Sequence, residues 1–195
     1  MIIVDPGEAK GVLDYLTNEK KDLVAILLTH NHSDHIDGVE QILMSNPNTP
    51  IYGPEETVPL NNQVLQEGDS FELFGSFVEV IHTPGHTEGH ISYLFSDALF
   101  CGDSLFSAGT GRVFTGDYQA QYDTLQKFRQ LYDTVKIYPA PEYTETNLRF
   151  AQSIEPTNQA VAEALKEVRK LRRTNKPTLP STIARQFLTK NSCNN

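Results

Sequence analysis

The chain has 195 residues, 38% of them hydrophobic, which suffices for one compact core with a small appendage rather than two full domains. Sixteen basic against twenty-five acidic residues leave a net charge of −9, which repels a phosphate backbone and argues against nucleic acid as a partner. Two distant cysteines, Cys101 and Cys193, make no disulfide framework, no apolar run reaches the roughly 18 residues of a membrane span, and the opening Met1-Ile2-Ile3-Val4-Asp5 lacks a secretory signal's basic flank, so a cytoplasmic chain without a membrane partner is expected.

Ile2, Ile3 and Val4 form a β-branched run stopped by Asp5-Pro6-Gly7, and Val12, Leu13 and Leu16 follow at helical spacing before a second strand over 23–28. That strand runs straight into Thr29-His30-Asn31-His32-Ser33-Asp34-His35, which places the histidines on a loop at a strand's carboxyl end. Val39, Ile42 and Leu43 mark a short amphipathic helix ending near Asn46-Pro47. Between 51 and 103, short strands over 70–73, 77–82, 91–95 and 99–101 alternate with turn residues and predict a meandering sheet. Helical spacing returns at Tyr122, Leu125, Phe128 and Leu131, and 135–138 reads as a buried strand ending at Pro139-Ala140-Pro141. From Pro156 the composition shifts: Val161, Leu165, Val168 and Leu171 form one helical stripe, with Lys166, Arg169, Lys170, Arg172 and Arg173 around it. Cations in a helix's last turn complement its dipole and solvate its outer face. Beyond Lys176, with Pro177 and Pro180, the chain reads as an irregular extension.

All six histidines lie between positions 30 and 90, in two clusters that each follow a predicted strand. His30 and His32 are two apart in an extended segment, so both rings project to one side, while Asp34 and His35 follow on the turning loop. Imidazoles with a carboxylate suit Zn²⁺, Fe or Mn²⁺ better than a soft metal, and four potential ligands at a strand end are more specific than the solvated polar loop that is the plain alternative. The second cluster, His82-Thr83-Pro84-Gly85-His86-Thr87-Glu88-Gly89-His90, has to be divided. His86 follows a tight turn that can aim its ring at a site, His90 opens a strand and supports from behind the ligands, and His82 alternates with core residues as a structural side chain. Asp103, at the end of Phe100-Cys101-Gly102-Asp103, can bring a carboxylate between two cations, the plain alternative being a turn-forming aspartate.

Thr29-His30-Asn31-His32-Ser33-Asp34-His35 is similar to the THxHxDH signature of the metallo-β-lactamase superfamily, and Thr83-Pro84-Gly85-His86-Thr87 and Gly102-Asp103 resemble its later ligand motifs in the same order. The resemblance implies an α/β fold, a four-layer αββα sandwich, here with a shortened N-terminus and a short helical C-terminal appendage. Val4-Asp5-Pro6-Gly7, Leu105-Phe106-Ser107-Ala108-Gly109 leading to Gly111-Arg112-Val113-Phe114, and Glu142-Tyr143-Thr144 with Asn147-Leu148-Arg149-Phe150-Ala151 resemble the glyoxalase II (hydroxyacylglutathione hydrolase) family, over nearly all of the chain to about Ile183. That family implies hydrolysis of S-D-lactoylglutathione to glutathione and D-lactate by a metal-bound hydroxide, with two divalent cations, zinc ahead of iron or manganese. It assigns His30, His32, His86 and Asp103 to one metal and Asp34, His35 and the shared Asp103 to the other, with Asp34 and Asp103 as the catalytic carboxylates. Arg112 and Tyr143 fall at positions the family uses to hold glutathione. The division that follows is a metal-binding domain over 1–153 and a truncated glutathione-binding extension over 154–195, in a monomer.

Three departures from the family carry their own expectations. Pro141 stands where the family has a histidine, the last ligand of the second metal, so that site is expected to be weak, with Glu142 as a candidate substitute ligand. The chain begins almost on the Val-Asp-Pro segment, where the family places a pair of strands first, which predicts an unprotected sheet edge. Residues 184–195 do not resemble the family's basic C-terminal clamp for glutathione, so weaker substrate binding is expected, with Arg169, Arg172 and Arg173 as partial replacements. Two rival readings follow: a single-iron enzyme resembling persulfide dioxygenases, and a degenerate metal-binding homologue of little activity.

Overall fold

The structure is a computed structural model and describes residues 1–188. Alternation along the strands dictates its layers. In the first sheet, β1 (Ile2–Val4), β2 (Ala25–Leu27), β3 (Ile51–Gly53) and β4 (Gln63–Val64) lie in that order and are all parallel. Ala25 and Leu27 point one way, into a cluster with Leu73, Val78, Val80, Ile91 and Tyr93 of the second sheet. Ile26 and Leu28 point the other way, against Ala9, Val39 and Ile42, where α1 (Lys10–Asn18) and α3 (Val39–Ser45) cover the outer face.

The second sheet runs β10-β9-β8-β7-β6-β5, built from β5 (Ser70–Leu73), β6 (Ser76–His82), β7 (Ile91–Phe95), β8 (Ala98–Gly102), β9 (Lys136–Pro139) and β10 (Ser181–Thr182). Its outer face packs Leu99, Cys101 and Ile137 on Phe128 of α4 (Tyr118–Arg129) and on Ile183 at the start of α7 (Ile183–Leu188). Helix, sheet, sheet, helix is therefore the layer order, as the resemblance implies. Tyr93 ties the two sheets together: fully buried, it donates its hydroxyl to Leu28 O at 2.6 Å and lies 3.2 Å from Tyr52 O. Tyr93→Phe is expected to lower the free energy of unfolding by about 1–2 kcal/mol, because a buried carbonyl loses its side-chain donor. A denaturant midpoint equal to wild type, at an unchanged slope, would show this bond to be neutral.

The antiparallel meander begins at β5; β3 and β4 join the parallel sheet instead, separated by a 3-10 turn at Glu55–Thr57. Asp34 and His35 sit on a single-turn helix, α2 (Ser33–Ile36), not on an irregular loop. Helix α4 buries Gln121 and Thr124 beside Phe128, while Tyr122 is 56% exposed, against the face that apolar spacing suggests. The extension past Lys176 is not irregular: β10 pairs antiparallel with β9, and Ile183 enters the core. The side chains after Gln186, and Cys193 with the last residues of the expected extension, lie outside what the structure describes.

Helix α5 (Thr144–Ile154) packs on α6 (Gln159–Arg172) through Leu148, Val161, Ala164, Leu165 and Val168. Asn158 caps α6 by accepting from Val161 N at 3.2 Å. The division expected at 153/154 falls in the last turn of α5. No described helix is long and apolar enough to cross a membrane. Strand β1 forms one edge of its sheet.

Because β1, β2 and β3 are parallel, the chain leaves all three at the same edge, at Asp5, at Leu28-Thr29-His30 and at Pro54. From the other sheet, β6 leads into 83–90 and β8 into Asp103. The site is assembled from these strand ends.

Candidate metal centre

Three imidazole nitrogens converge: His30 Nε2 lies 3.1 Å from His32 Nδ1, and His86 Nε2 lies 2.9 Å from the same atom. Proton bookkeeping shows what they offer. His86 Nδ1 donates to Arg112 O at 2.8 Å, so its Nε2 carries a lone pair. The Thr29 hydroxyl donates its one hydrogen to Asp5 Oδ2 at 2.7 Å, so at 2.9 Å it accepts from His30 Nδ1, and His30 Nε2 also carries a lone pair. His32 Nδ1, with at most one proton, can serve only one of the two. Nitrogens bound tetrahedrally at zinc distances stand about 3.3 Å apart, close to the spacing here, so a shared cation satisfies all three where protons cannot. Burial first, and the neighbouring imidazoles second, push the His30 pKa far below its ordinary value. Burial also lowers that of His86, although Asp103 opposes it. Neutral rings are the ligand form.

A second group lies beside the first. His35 Nδ1 donates to Asp5 Oδ2 at 3.0 Å, and its Nε2 faces Asp103 Oδ1 at 3.2 Å and Asp34 Oδ2 at 3.8 Å. The other Asp103 oxygen lies 3.4 Å from His86 Nε2, so this carboxylate turns one oxygen to each group. His35 Nε2 and Asp103 Oδ1 are both buried without an aligned hydrogen-bond partner, the condition a cation would relieve. Burial is the largest influence on His35 and disfavours charge, yet Asp103 and Asp5 together outweigh it and raise its pKa to about 10. The position thus favours positive charge. Asp34 is the outlying member, its side chain 62% exposed on the solvent side.

Of the other expected site residues, Arg112 is joined to the cluster through its backbone oxygen, which accepts from His86 Nδ1. Its guanidinium sits 5.1 Å from the centre of the Phe114 ring, which meets the His32 and His86 rings edge-on at 5.3 Å each. Tyr143 is 47% exposed and packs its ring against Phe106 at the start of α5; no described contact joins it to the imidazoles. Glu142 is not a substitute ligand: its carboxylate accepts from Thr178 Oγ1 at 2.8 Å and faces Arg172 at 3.6 Å, which holds it toward 172–178.

Spacing alone missed Asp5. Its Oδ1 accepts from Thr29 N at 2.8 Å while Oδ2 serves Thr29 Oγ1 and His35 Nδ1, so one carboxylate orients a histidine in each group. Asp5 adopts a positive φ of 49° to do so, a conformation aspartate tolerates better than most residues. The available signal was an aspartate directly after a β-branched run, before Pro6-Gly7. His90 is fully buried behind His30, its ring stacked at 4.9 Å and its Nδ1 2.9 Å from both Thr83 Oγ1 and Ser104 Oγ. His82 Nε2 lies 2.9 Å from Glu88 O, away from the cluster.

Backbone approach sets a further limit. A Cβ on Gly111 would collide with Asp103 O and stand 2.8 Å from His86 Nδ1. Gly111→Ala is therefore expected to displace His86 and Asp103 and to weaken cation binding by at least about tenfold, the lower end of what disturbed ligand support costs. Equilibrium dialysis against Zn²⁺ tests this, and wild-type affinity would mean that the 109–112 segment yields instead.

The chain matches the metallo-beta-lactamase superfamily over residues 2–140 and the hydroxyacylglutathione hydrolase C-terminus over residues 142–190. It is 49% identical over 188 residues to the hydroxyacylglutathione hydrolase of Haemophilus ducreyi, covering 96% of this chain and 80% of that one. With the hydroxyacylglutathione hydrolase of Glaesserella parasuis it shares 51% identity over 183 residues, covering 93% and 78%. Among solved structures, ETHE1 from Myxococcus xanthus superposes with a TM-score of 0.65 at 30% identity, over 73% of this chain and 65% of that one. TTHA1623 in a di-iron-bound form gives 0.61 at 28% identity, over 70% and 79%.

Proposed function

The chain belongs to the metallo-β-lactamase superfamily and, within it, to the hydroxyacylglutathione hydrolases, and from that membership we propose that it hydrolyses S-D-lactoylglutathione to glutathione and D-lactate. The observation that carries the proposal is the convergence of His30, His32 and His86, with Asp103 turned toward both His86 and His35. In this reading His30, His32, His86 and Asp103 hold one divalent cation, and Asp34, His35 and Asp103 hold a second, zinc being the first candidate for both. Such cations supply a nucleophile by lowering the pKa of water from about 15.7 to about 7, and a Lewis acid for the thiolester carbonyl.

The chain's own residues do the rest. Thr29 and Arg112 O fix the tautomers of His30 and His86, and Asp5 fixes that of His35. Asp34, on the solvent side, orients the attacking water and accepts its proton. Phe114 walls the imidazole edges from solvent, and Arg112 offers its cation to a glutathione carboxylate, with Tyr143 as the second contact. Water oxygen bonds to the carbonyl carbon, the C–S bond breaks, and the thiolate departs. A thiol of pKa about 8.5 leaves without a strong general acid, so no acid residue is required. A cytoplasmic location belongs to the same reading and rests on the low cysteine content.

The two cation positions are unequal. The first is enclosed by three imidazoles, whereas the second depends on the exposed Asp34, on His35 and on a shared carboxylate. Pro141 contributes no ligand, and Glu142 is engaged elsewhere. This asymmetry also supports the rival single-iron persulfide dioxygenase reading, for which two histidines and one carboxylate suffice. Elemental analysis of chelator-free protein, with assays on S-D-lactoylglutathione and on glutathione persulfide, separates them. Thiolester cleavage with zinc bound is expected; one firmly held iron with oxygen consumed on the persulfide would replace the hydrolase by the oxygenase.

A further inference from the structure

We infer that Glu56 is a positioning residue for the cation site, clamping the loop that carries His86 onto the sheet that carries His30 and His32. The inference rests on the cation reading above and goes beyond it. His86 arrives from the second sheet, while His30 and His32 follow β2 of the first, so the three nitrogens meet only if the 83–90 loop is docked across the gap between the sheets. From its own side the loop is held by Thr115 Oγ1 on Gly85 O and by Thr124 Oγ1 on Pro84 O, at 2.8 and 2.9 Å. From the first sheet, Thr29 O accepts from Ile91 N at 2.9 Å, beyond the loop's end. Glu56 is the described side chain of that sheet's connections that grips the loop just after His86. Its Oε1 accepts from Thr87 Oγ1 at 2.6 Å and its Oε2 from Gly89 N at 2.8 Å.

Two further observations mark this as a built clamp. Gly89 is approached so closely that a Cβ there would lie 2.7 Å from Glu56 Oε2, so the carboxylate fits against bare backbone. The 3-10 turn presenting Glu56 is itself fixed from beneath: Thr57 Oγ1 donates to Pro54 O at 2.8 Å, and Asn61 Nδ2 donates to Gly53 O at 2.9 Å, both side chains being buried. That turn follows β3, the third parallel strand to end at this edge after those leading to Asp5 and Thr29. Successive strands of one sheet thus deliver an orienting carboxylate, two ligands and a clamp. Side chains that hold ligands in place commonly affect metal affinity by about 10–100-fold. Glu56 acts one residue removed from the ligand, so the lower end applies.

The test uses Co²⁺ as probe, titrated into chelator-treated protein and followed by its visible d–d absorption, with thermal unfolding of the metal-free protein in parallel. Glu56→Ala is expected to weaken cobalt binding about tenfold and to change the intensity of the d–d bands. Glu56→Gln keeps an acceptor for one of the two donors and is expected to recover part of both. A clamp that merely stabilised the fold would lower the melting temperature and leave the cobalt spectrum of the folded protein as in wild type; that result, or wild-type affinity, overturns the inference. Should Glu56→Ala fail to fold, Thr87→Val removes one of the two bonds and decides in its place: a severalfold loss of affinity supports the clamp and an unchanged titration overturns it. Wild-type protein that takes up no cobalt overturns the cation reading and this inference together, whereas normal wild-type uptake with an indifferent variant defeats the clamp alone.

Discussion

Asp103→Ala is expected to remove S-D-lactoylglutathione hydrolysis and to weaken both cation positions by at least about a hundredfold. Loss of an outer partner alone costs about 10–100-fold in affinity, and Asp103 turns an oxygen toward each imidazole group. The fold should survive the change. Asp103 Oδ1 has no aligned hydrogen-bond partner, and the backbone bond from Gly111 N to Asp103 O at 2.8 Å does not involve the side chain. Circular dichroism of the metal-free variant should therefore stay near wild type, with melting lowered only by the loss of the His35–Asp103 pair, while dialysis and the thiolester assay collapse. Wild-type turnover in this variant would remove Asp103 as the bridging ligand and leave the two groups chemically separate.

Pro141→His is expected to act in the opposite direction, raising occupancy of the second cation position and thiolester turnover by at least about tenfold. Topology makes the site of substitution suitable. Strands β8 and β9 are parallel with Gly102 opposite Pro139, so the chain leaves both at the same edge, toward Asp103 on one strand and Pro141 on the other. A ring added there competes with no existing ligand, because Glu142 is tied to Thr178. Cation stoichiometry by dialysis and elemental analysis, read beside kcat, checks both parts. If neither quantity moves, position 141 does not border the second cation. A gain in occupancy without a gain in rate would mean that the first cation position alone carries the chemistry.

The sequence by itself determined the candidate donor set and the layers. His30, His32, Asp34 and His35 fall within six residues after one strand, and so short a segment cannot disperse its side chains. The opposed faces of Ala25 and Leu27 against Ile26 and Leu28, and the Val161, Leu165 and Val168 stripe, are likewise local periodicities that burial enforces. Only the tertiary structure decided which polar groups serve that donor set. Asp5 reaches Thr29 and His35 across 24 and 30 residues because β1 and β2 lie parallel. Helix α4 buries Gln121 and Thr124, polar positions that periodicity discounts, because Thr124 bonds Pro84 O and Gln121 bonds Ser104 O beside the histidine cluster. The two-residue strand β10 was invisible for a related reason: it exists through its pairing with β9 and the burial of Ile183, not through any pattern of its own. Apolar spacing records which face is withdrawn from water, whereas the partner of a buried donor or acceptor is chosen by chain segments that meet only after folding.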